Sequence, residues 1–354
     1  MKLNRFTVSF DPWDMAFVAK HGVWKATRLV RRHYKEHTIP FIHDTHQLAA
    51  ALAVPRGQLF SLARDPKPHY RLHTLRKKNG GTRTIHAPAL DLKYTQRQIA
   101  KRLLAHMPVS PFATAYTAGK SLRDNAAPHV GHRYLLKMDI TDFFGSITHF
   151  QVISAAFNSR LYPPQVGAML AALCCRDGVL PQGAPTSPAL SNIVMKSFDD
   201  VLGHWCAQKG ITYTRYCDDL TFSADVPLYA VYLKATDMLC RRGFAVNESK
   251  TVFVTNTSAQ RVTGLTVNEK VAIPREYKQR LRQEVYYALR FGLADSLMRG
   301  NKQEYILCDR PDVRRYYNHL NGQMQYVLQI EPQNRWFATA CAELRERFLG
   351  EIGQ

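Results

Sequence analysis

The chain has 354 residues, 45% hydrophobic and 21% charged, a balance typical of a globular protein with a core large enough for two or three subdomains. Its 48 Lys and Arg against 28 Asp and Glu give a net charge of +20, which predicts a phosphate-rich partner, since each neutralised phosphate releases counterions. Without C-x-x-C pairs, a signal peptide or an apolar run of bilayer length, the sequence predicts a cytoplasmic protein with reduced thiols and no membrane partner.

The first 68 residues are expected to form a helical N-terminal region. Residues 45–54 are apolar and rich in alanine, Pro55 interrupts them, and residues 58–63 resume the pattern. Histidines in this region are assigned to the surface and to packing rather than to a metal, because no cysteine or H-E-x-x-H pattern accompanies them. They are His33, His37, His43 and His46.

Residues 70–88 predict a basic hairpin, with Lys77-Lys78-Asn79-Gly80-Gly81-Thr82-Arg83 at its turn. The next stretch, 91–104, predicts a helix with a basic face. Such a face is usually only solvated, but beside a nucleic-acid cleft it would guide a template strand.

A hydrophobic strand at 134–138 then delivers Asp139 at its C-terminal end. It is followed by a loop rich in proline and glycine, Leu180-Pro181-Gln182-Gly183-Ala184-Pro185-Thr186-Ser187-Pro188, which opens a predicted helix over 189–202. Considered alone, this loop is typical of a connector.

Tyr216-Cys217-Asp218-Asp219 lies between two β-forming runs, 211–214 and 220–223, and predicts a hairpin with acidic residues at its turn. Adjacent aspartates repel each other, and magnesium, which prefers hard oxygen ligands, is one reason to keep them together. An exposed turn is the alternative. If this hairpin lies beside the strand that ends at Asp139, the carboxylates meet, and two metal ions held there would support phosphoryl transfer.

The C-terminal part is expected to be helical. Pro274 marks a helix start, and Tyr277, Leu281, Val285 and Leu289 form an apolar stripe. Another face of the same helix carries Arg275, Lys278 and Arg282. The remainder, to Gln354, has no recognisable chemical signature.

In this order, the motifs resemble the palm of a reverse transcriptase: Asp139 as the first aspartate, 180–188 as the LPQG loop, 216–219 as the YxDD box, and Val246-Asn247-Glu248-Ser249-Lys250-Thr251 as the N-x-x-K-T segment. The resemblance implies an α+β right-hand polymerase fold of fingers, palm and thumb with a helical N-terminal extension. The expected domains are an extension at 1–68, fingers at 69–135, a palm at 136–260 with an insert near 150–180, and a thumb with C-terminal helices at 261–354.

Two shorter motifs resemble those of bacterial retron reverse transcriptases. Asn125-Ala126-Ala127-Pro128-His129 fits an N-A-x-x-H segment, and Val262-Thr263-Gly264 fits a V-T-G segment. In that family these regions help to recognise a structured RNA, so Asn125, His129 and 262–264 are expected to bind RNA together with Arg275, Lys278 and Arg282. Asn and His side chains also satisfy buried backbone groups, which leaves a structural role open.

The resemblance also implies the roles of the catalytic site. The metal ligands are expected to be Asp139, Asp218, Asp219 and the carbonyl of Ile140, holding two Mg²⁺ ions for which Mn²⁺ can substitute. Lys250 is expected to protonate the leaving pyrophosphate, or else to be a surface lysine. The nucleotide pocket is expected to include Lys77, Lys78, Arg83, Asp142, Phe143, Phe144 and Gln182, with Phe144 as the aromatic that excludes a 2′-hydroxyl and Phe143 in the core, unless the two are exchanged.

The predicted function is therefore RNA-directed DNA synthesis from dNTPs on part of a cognate non-coding RNA. The resemblance implies priming from an RNA 2′-hydroxyl, an RNA–DNA product, and antiphage defence with a separate effector protein. The alternatives are another bacterial reverse transcriptase, of group II intron, diversity-generating or abortive-infection type, and a non-catalytic RNA-binding scaffold.

Overall fold

The computed structural model describes residues 39–76, 80–300, 303–307 and 310–352. The described chain is a mixed α+β protein in which one four-stranded sheet is the largest. Its helices are α1 Thr45–Leu52, α2 Arg56–Arg64, α3 Leu90–Arg102, α4 Leu122–Ala126, α5 His149–Ala156, α6 Pro164–Cys174, α7 Ser187–Ala207, α8 Tyr229–Cys240, α9 Arg275–Phe291, α10 Leu293–Arg299, α11 Val313–Ile330 and α12 Arg335–Ile352.

The strands are short. They are β1 Tyr70–Arg76, β2 Thr82–Pro88, β3 Tyr134–Asp139, β4 Thr212–Tyr216, β5 Asp219–Ala224, β6 Val252–Thr255, β7 Arg261–Val262, β8 Leu265–Thr266, β9 Ile306–Leu307 and β10 Arg310–Pro311. The four-stranded sheet has the order β4-β5-β3-β6, and the remaining strands form three two-stranded pairs. In β5 every residue after Asp219 is buried, as expected for a strand inside a sheet covered on both faces.

Contacts divide the chain into two compact units. The first, called here the sheet unit, contains the described part of Met1–Gly119 together with Lys137–Thr221 and Tyr229–Val252. The second, called the C-terminal unit, contains Lys120–Leu136, Phe222–Leu228 and the described part of Phe253–Gln354. The predicted domain boundaries differ from these ranges and stay a prediction.

In the sheet unit, local signals explain where the helices begin. Asp44 caps α1 by accepting hydrogen bonds from the backbone N–H groups of His46 and Gln47. Thr148 and Gln151 form a capping box at the start of α5. The long helix α7 buries Leu190, Met195 and other apolar residues along one side, together with the polar Asn192 and Asp199.

In the C-terminal unit, α9 has the predicted apolar stripe. Leu281, Val285 and Ala288 are fully buried, and Tyr277 and Leu289 are partly buried against the same cluster. This cluster also receives apolar side chains from α10, α11 and α12, so helix packing stabilises the unit. No helix in the described ranges combines the length and the apolar character needed to cross a bilayer.

Candidate active site

A polar cavity of about 780 Å³ lies entirely within the sheet unit. The segments that line it come from β2, the connection between α3 and α4, the end of β3, the loop before α7, the β4–β5 turn and the segment after α8. Its lining includes Arg83, His86, Tyr116, Asp139, Ile140, Asp142, Phe143, Phe144, Arg176, Asp177, Gln182, Tyr216, Cys217, Asp218, Asp219, Asn247 and Lys250. Residues that are far apart in sequence therefore share one cleft.

The aspartates meet because of strand order. Asp139 is the last residue of β3, Asp219 is the first residue of β5, and β5 and β3 are neighbours. The backbone N–H of Ile140 donates to the carbonyl of Asp218 at 3.0 Å, which joins the β4–β5 turn to the end of β3. The prediction that the two acidic segments lie side by side is confirmed.

Negative charge is concentrated at this point. Burial, together with the charges of Asp218 and Asp139, raises the pKa of Asp219 to about 6, although Lys137 and Lys250 oppose the shift. The ammonium of Lys250 lies 2.7 Å from Oδ1 of Asp139. This hydrogen bond raises the pKa of Lys250, so the side chain is a cation against the carboxylate cluster.

The donor set is suited to a hard divalent cation. No group of three or more His, Cys, Asp or Glu side chains in the described ranges is placed to hold a metal ion on its own. The carboxylates of Asp139, Asp218 and Asp219 instead line an open cavity, which has room for further oxygen ligands to complete a coordination sphere. Magnesium is commonly bound in this manner, through one or two carboxylates, waters and phosphate oxygens.

Backbone strain is concentrated in the cavity wall. Four non-glycine residues that line it have positive φ: Tyr116 at 56°, Asp142 at 41°, Asp177 at 52° and Cys217 at 60°. Each such conformation costs of order 1–3 kcal/mol and persists only where the surroundings hold it. Strain of this kind is typical of functional sites.

The two phenylalanines after β3 differ in exposure. Phe143 is 3% exposed and lies 6.0 Å, between ring centroids, from Phe244. Phe144 is half-buried at the cavity wall. This agrees with the prediction that Phe143 packs in the core, and the role of Phe144 stays a prediction.

The LPQG loop is attached to β2. The carbonyl of Gln182 accepts a hydrogen bond from the backbone N–H of His86 at 2.8 Å. Gly183 has φ +122°, and a Cβ there would lie 2.7 Å from Cγ2 of Ile85, so only glycine fits this approach. The loop predicted as a possible connector is thus a wall of the cavity that presents Gln182.

The basic hairpin is confirmed as an antiparallel pair of β1 and β2, from Tyr70↔Pro88 to Arg76↔Thr82. Arg83 is exposed and lines the cavity. Lys77 and Lys78, also predicted to contact the nucleotide, lie outside the described residues.

In the C-terminal unit the structure brings the two shorter motifs together. Asn125 Nδ2 lies 3.5 Å from Oγ1 of Thr263, and His129 Nδ1 lies 2.7 Å from Oγ of Ser223. Asn125, His129 and Val262 are 0% exposed. The expectation that these three side chains contact RNA directly is corrected, because a fully buried side chain has no surface to offer; they support the fold around the motif.

The V-T-G segment makes a two-residue turn between β7 and β8. Thr263 has φ 47° and Gly264 has φ 83°, the pair of positive φ values that such tight hairpins require. Thr263 is half-buried and Gly264 is exposed, so the turn itself is accessible.

The three cations of α9 also differ. Arg275 and Arg282 are exposed, and the Arg282 guanidinium lies 5.3 Å from the ring centroid of Trp336. Lys278 pairs with Glu331 at 2.7 Å and is mostly buried, so its charge is already neutralised within the unit. RNA binding by these residues stays a prediction.

Sequence reasoning missed a buried ion pair next to the acidic turn. Arg215 and Asp199 are both 0% exposed and hydrogen-bonded to each other. An arginine inside a strand that is otherwise suited to burial was the available signal, but its acidic partner, 16 residues earlier on α7, could not be chosen from sequence.

The comparisons with known proteins agree with this geometry. A family model described as "Reverse transcriptase (RNA-dependent DNA polymerase)" matches residues 75–269. The retron Mx65 reverse transcriptase of Myxococcus xanthus is 35% identical over 83% of this chain and 70% of its own length. The retron Ec86 reverse transcriptase of Escherichia coli is 29% identical over 88% of this chain and 92% of its own length.

Among solved structures, apo telomerase from Candida tropicalis is similar with a TM-score of 0.42 and 12% identity, over 80% of this chain and 62% of that chain. The family model and the curated relatives carry the assignment. This chain belongs to the reverse transcriptase family, among the bacterial retron reverse transcriptases, and is an RNA-directed DNA polymerase.

Proposed function

We propose that this polymerase copies part of a cognate structured non-coding RNA into single-stranded DNA. Membership of the reverse transcriptase family implies an RNA template and dNTP substrates. The observation that carries the proposal is the cavity in the sheet unit, which is lined by Asp139, Asp218 and Asp219 together with Arg83 and Gln182.

The proposed organisation is that of a right hand. Fingers at 69–135, a palm at 136–260 and a thumb with C-terminal helices at 261–354 follow an N-terminal extension at 1–68. The order of the motifs supports it, as do the β1–β2 hairpin before the four-stranded sheet and the helices after it.

Reverse transcriptases use divalent metal ions, and Mg²⁺, replaceable by Mn²⁺, is proposed here. Two ions would be held by the carboxylates of Asp139, Asp218 and Asp219 and the carbonyl of Ile140. When bound, such ions activate the attacking oxygen and stabilise the leaving one. The oxygen-rich donor set around the cavity supports this choice over softer metals.

The triphosphate is proposed to be bound by cations at the mouth of the cavity. Arg83 is exposed at the cavity lining, and its planar guanidinium suits phosphate oxygens. Lys77 or Lys78 would add a second positive charge. Lys250 holds a proton beside Asp139 and is the candidate to donate it to the leaving pyrophosphate.

The deoxyribose and base are proposed to lie between the loop before α7 and the end of β3. Gln182 and Asp142 would border the nucleotide, and Phe144 would exclude a 2′-hydroxyl by steric contact. The half-buried position of Phe144 at the cavity, beside the buried Phe143, supports that assignment.

Recognition of the cognate RNA is proposed for the surface of the C-terminal unit. Thr263 and Gly264 at the β7–β8 turn, with Arg275 and Arg282 on α9, are the accessible members of the predicted set. Lys278 is kept as a weaker candidate because Glu331 neutralises it. RNA stem-loops are bound mainly through shape, phosphate and 2′-hydroxyl contacts, which suits such residues.

Two further steps rest on similarity to retron reverse transcriptases. Synthesis would be primed from a 2′-hydroxyl of the same RNA, so that the DNA product stays covalently joined to it. The RNA–DNA product would act in antiphage defence with a separate effector protein. Both are testable without knowledge of the RNA.

The test is the nucleic acid that copurifies with the protein expressed from its own locus. A short DNA joined to one discrete RNA, sensitive in its two parts to DNase and RNase, is the expected result. RNA without DNA in the presence of dNTPs and Mg²⁺ would favour a non-catalytic scaffold. Extension of an added primer on any template, without a joined product, would leave the polymerase but remove self-priming.

A further inference from the structure

Arg215 and Asp199 form a fully buried ion pair beneath the acidic turn, in the sheet unit. Both side chains are 0% exposed. Arg215 Nη2 lies 2.6 Å from Oδ2 of Asp199, and Nε lies 2.9 Å from Oδ1, a bidentate contact. Tyr213 also donates its hydroxyl to Oδ1 of Asp199 at 2.8 Å.

The guanidinium has two further partners. Nη2 donates to Oδ1 of Asn192 at 3.1 Å, and Nη1 donates to the backbone carbonyl of Cys217 at 2.9 Å. Asp199 and Asn192, both on α7, therefore fix the direction in which Arg215 presents Nη1. The guanidinium is the bridge between that helix and the turn that carries Asp218.

The carbonyl of Cys217 belongs to a strained residue. Cys217 has φ +60°, a conformation that a side chain with a Cβ disfavours. The next carbonyl, that of Asp218, accepts the N–H of Ile140 at 3.0 Å. Both carbonyls of the β4–β5 turn are therefore held by donors, and the orientation of the peptide between Cys217 and Asp218 follows from the Arg215 bond.

Arg215 and Asn192 also bind the segment 112–115, which precedes Tyr116. The N–H and carbonyl of Arg215 pair with Phe112 and Thr114, and Asn192 Nδ2 donates to the carbonyl of Ala115 at 2.7 Å. Tyr116 follows, and its hydroxyl lies 3.5 Å from Sγ of Cys217.

A buried ion pair is not a strong source of stability, because desolvation offsets most of its attraction and apolar residues of similar volume often replace it without loss. What an apolar pair would not provide is the donor to the Cys217 carbonyl. We infer that Arg215 is a positioning residue that holds the Cys217–Asp218 peptide in its strained conformation, and through it the direction of the Asp218 and Asp219 carboxylates, with Asp199 and Asn192 orienting Arg215. The inference rests on the proposed role of those carboxylates as metal ligands.

The test compares three variants. The double variant Arg215→Met with Asp199→Leu removes both charges together, so that no single charge is left buried without a partner. Arg215→Lys keeps a positive charge opposite Asp199 but replaces the planar fork of donors with a single nitrogen, so the separately placed Nη1 donor to the Cys217 carbonyl is lost. It serves if the double variant does not fold. Tyr213→Phe removes another hydrogen bond to Asp199 and leaves the turn untouched, which makes it the matched control.

Each protein is assayed for dTTP incorporation on oligo(dT)-primed poly(rA) over a Mg²⁺ series, and separately for the rise of its melting temperature with MnCl₂ alone. For the double variant and Arg215→Lys we expect kcat to fall about 100-fold, as for a misplacement of the order of an ångström. KM for dTTP should change little, and the half-saturating Mg²⁺ concentration should rise. The increase in melting temperature caused by MnCl₂ should become smaller. Tyr213→Phe should keep the wild-type kcat and shift.

Wild-type kcat and MnCl₂ shift in a folded double variant or in Arg215→Lys would overturn the inference. So would an equal loss in Tyr213→Phe, since general loosening would then explain the effect. If the wild type itself incorporated no dTTP, the proposed function would be at fault, and the MnCl₂ shifts of the three variants would still decide whether Arg215 positions the carboxylates.

Discussion

Two tight hairpins of this molecule each contain a non-glycine residue with positive φ, but their motif side chains differ in exposure. The β4–β5 turn in the sheet unit has Cys217 at φ +60°, and the β7–β8 turn in the C-terminal unit has Thr263 at φ +47° followed by Gly264. At the first turn the motif side chains Asp218 and Asp219 line a cavity. At the second, the motif partners Asn125 and His129 are buried, and the turn itself is what remains accessible.

This difference shows that a sequence motif identifies residues that matter, but does not say whether they bind a ligand or support the fold. Carboxylates that line a cavity are available to a ligand, whereas an amide and an imidazole without exposed surface are available only to their neighbours. Exposure, rather than motif membership, separates the two cases.

The largest effect on activity is expected from changes at the β4–β5 turn. Asp218→Asn together with Asp219→Asn is expected to lower primer extension by about 10³-fold or more, as for loss of residues that act as one catalytic unit. Binding of RNA to the C-terminal unit should be unchanged, because neither residue belongs to that unit. Primer extension and filter binding of the copurified RNA measure the two quantities; loss of both would make the acids structural.

The dependence of stability on pH tests whether His129, in the motif beside the β7–β8 turn, is buried. Burial, with a smaller contribution from His132, lowers the pKa of His129 from 6.5 to about 3. The unfolded chain therefore binds a proton between these values while the folded chain does not, so stability is lost as pH falls below 6.5. Between pH 6 and pH 4 the free energy of unfolding of the wild type should fall roughly 2–3 kcal/mol more than that of His129→Gln.

Urea titrations of both proteins at each pH measure that difference. Arg133→Gln, a neighbouring change that leaves the imidazole in place, is the control and should follow the wild type. Parallel pH profiles for the wild type and His129→Gln would mean that the imidazole is accessible to solvent, and the assignment of His129 to support would be wrong.

A third change tests the wall of the cavity. Phe144→Ala removes the aromatic proposed to exclude a 2′-hydroxyl, and the preference for dUTP over UTP, which differ only at the 2′ position, should fall by about 10–200-fold, the range for a methylene-sized change in a pocket. Phe143→Leu, in the core, should lower the melting temperature and keep the preference. An unchanged preference in Phe144→Ala would mean that another residue excludes the 2′-hydroxyl.

The smallest effect is expected at the surface of the second turn. Thr263→Val keeps the shape and removes the hydroxyl, so affinity for the cognate RNA should fall about fivefold, the equivalent of roughly 1 kcal/mol for one hydrogen bond. Extension of primed poly(rA) should not change. A fall in extension with unchanged RNA affinity would assign Thr263 to catalysis instead of recognition.

Much of the fold was accessible from the sequence because its signals are local. The acidic hairpin, the basic β1–β2 hairpin and the apolar stripe of α9 each depend on neighbours within a few residues, and all three are confirmed. The meeting of Asp139 with Asp218 was also predictable, since two strand ends that carry acids need only lie side by side.

The sequence by itself therefore determined the family, through the resemblance of its motifs, and also the acidic turn and the order of the elements, because spacing and periodicity reflect local chemistry. Only the tertiary structure decided which motif residues are exposed and which are support, as for Thr263 against Asn125 and His129. It alone paired Arg215 with Asp199 and the Cys217 carbonyl. The physical reason is that burial and ion pairing depend on every element packed around a residue, and a side chain does not reveal those neighbours.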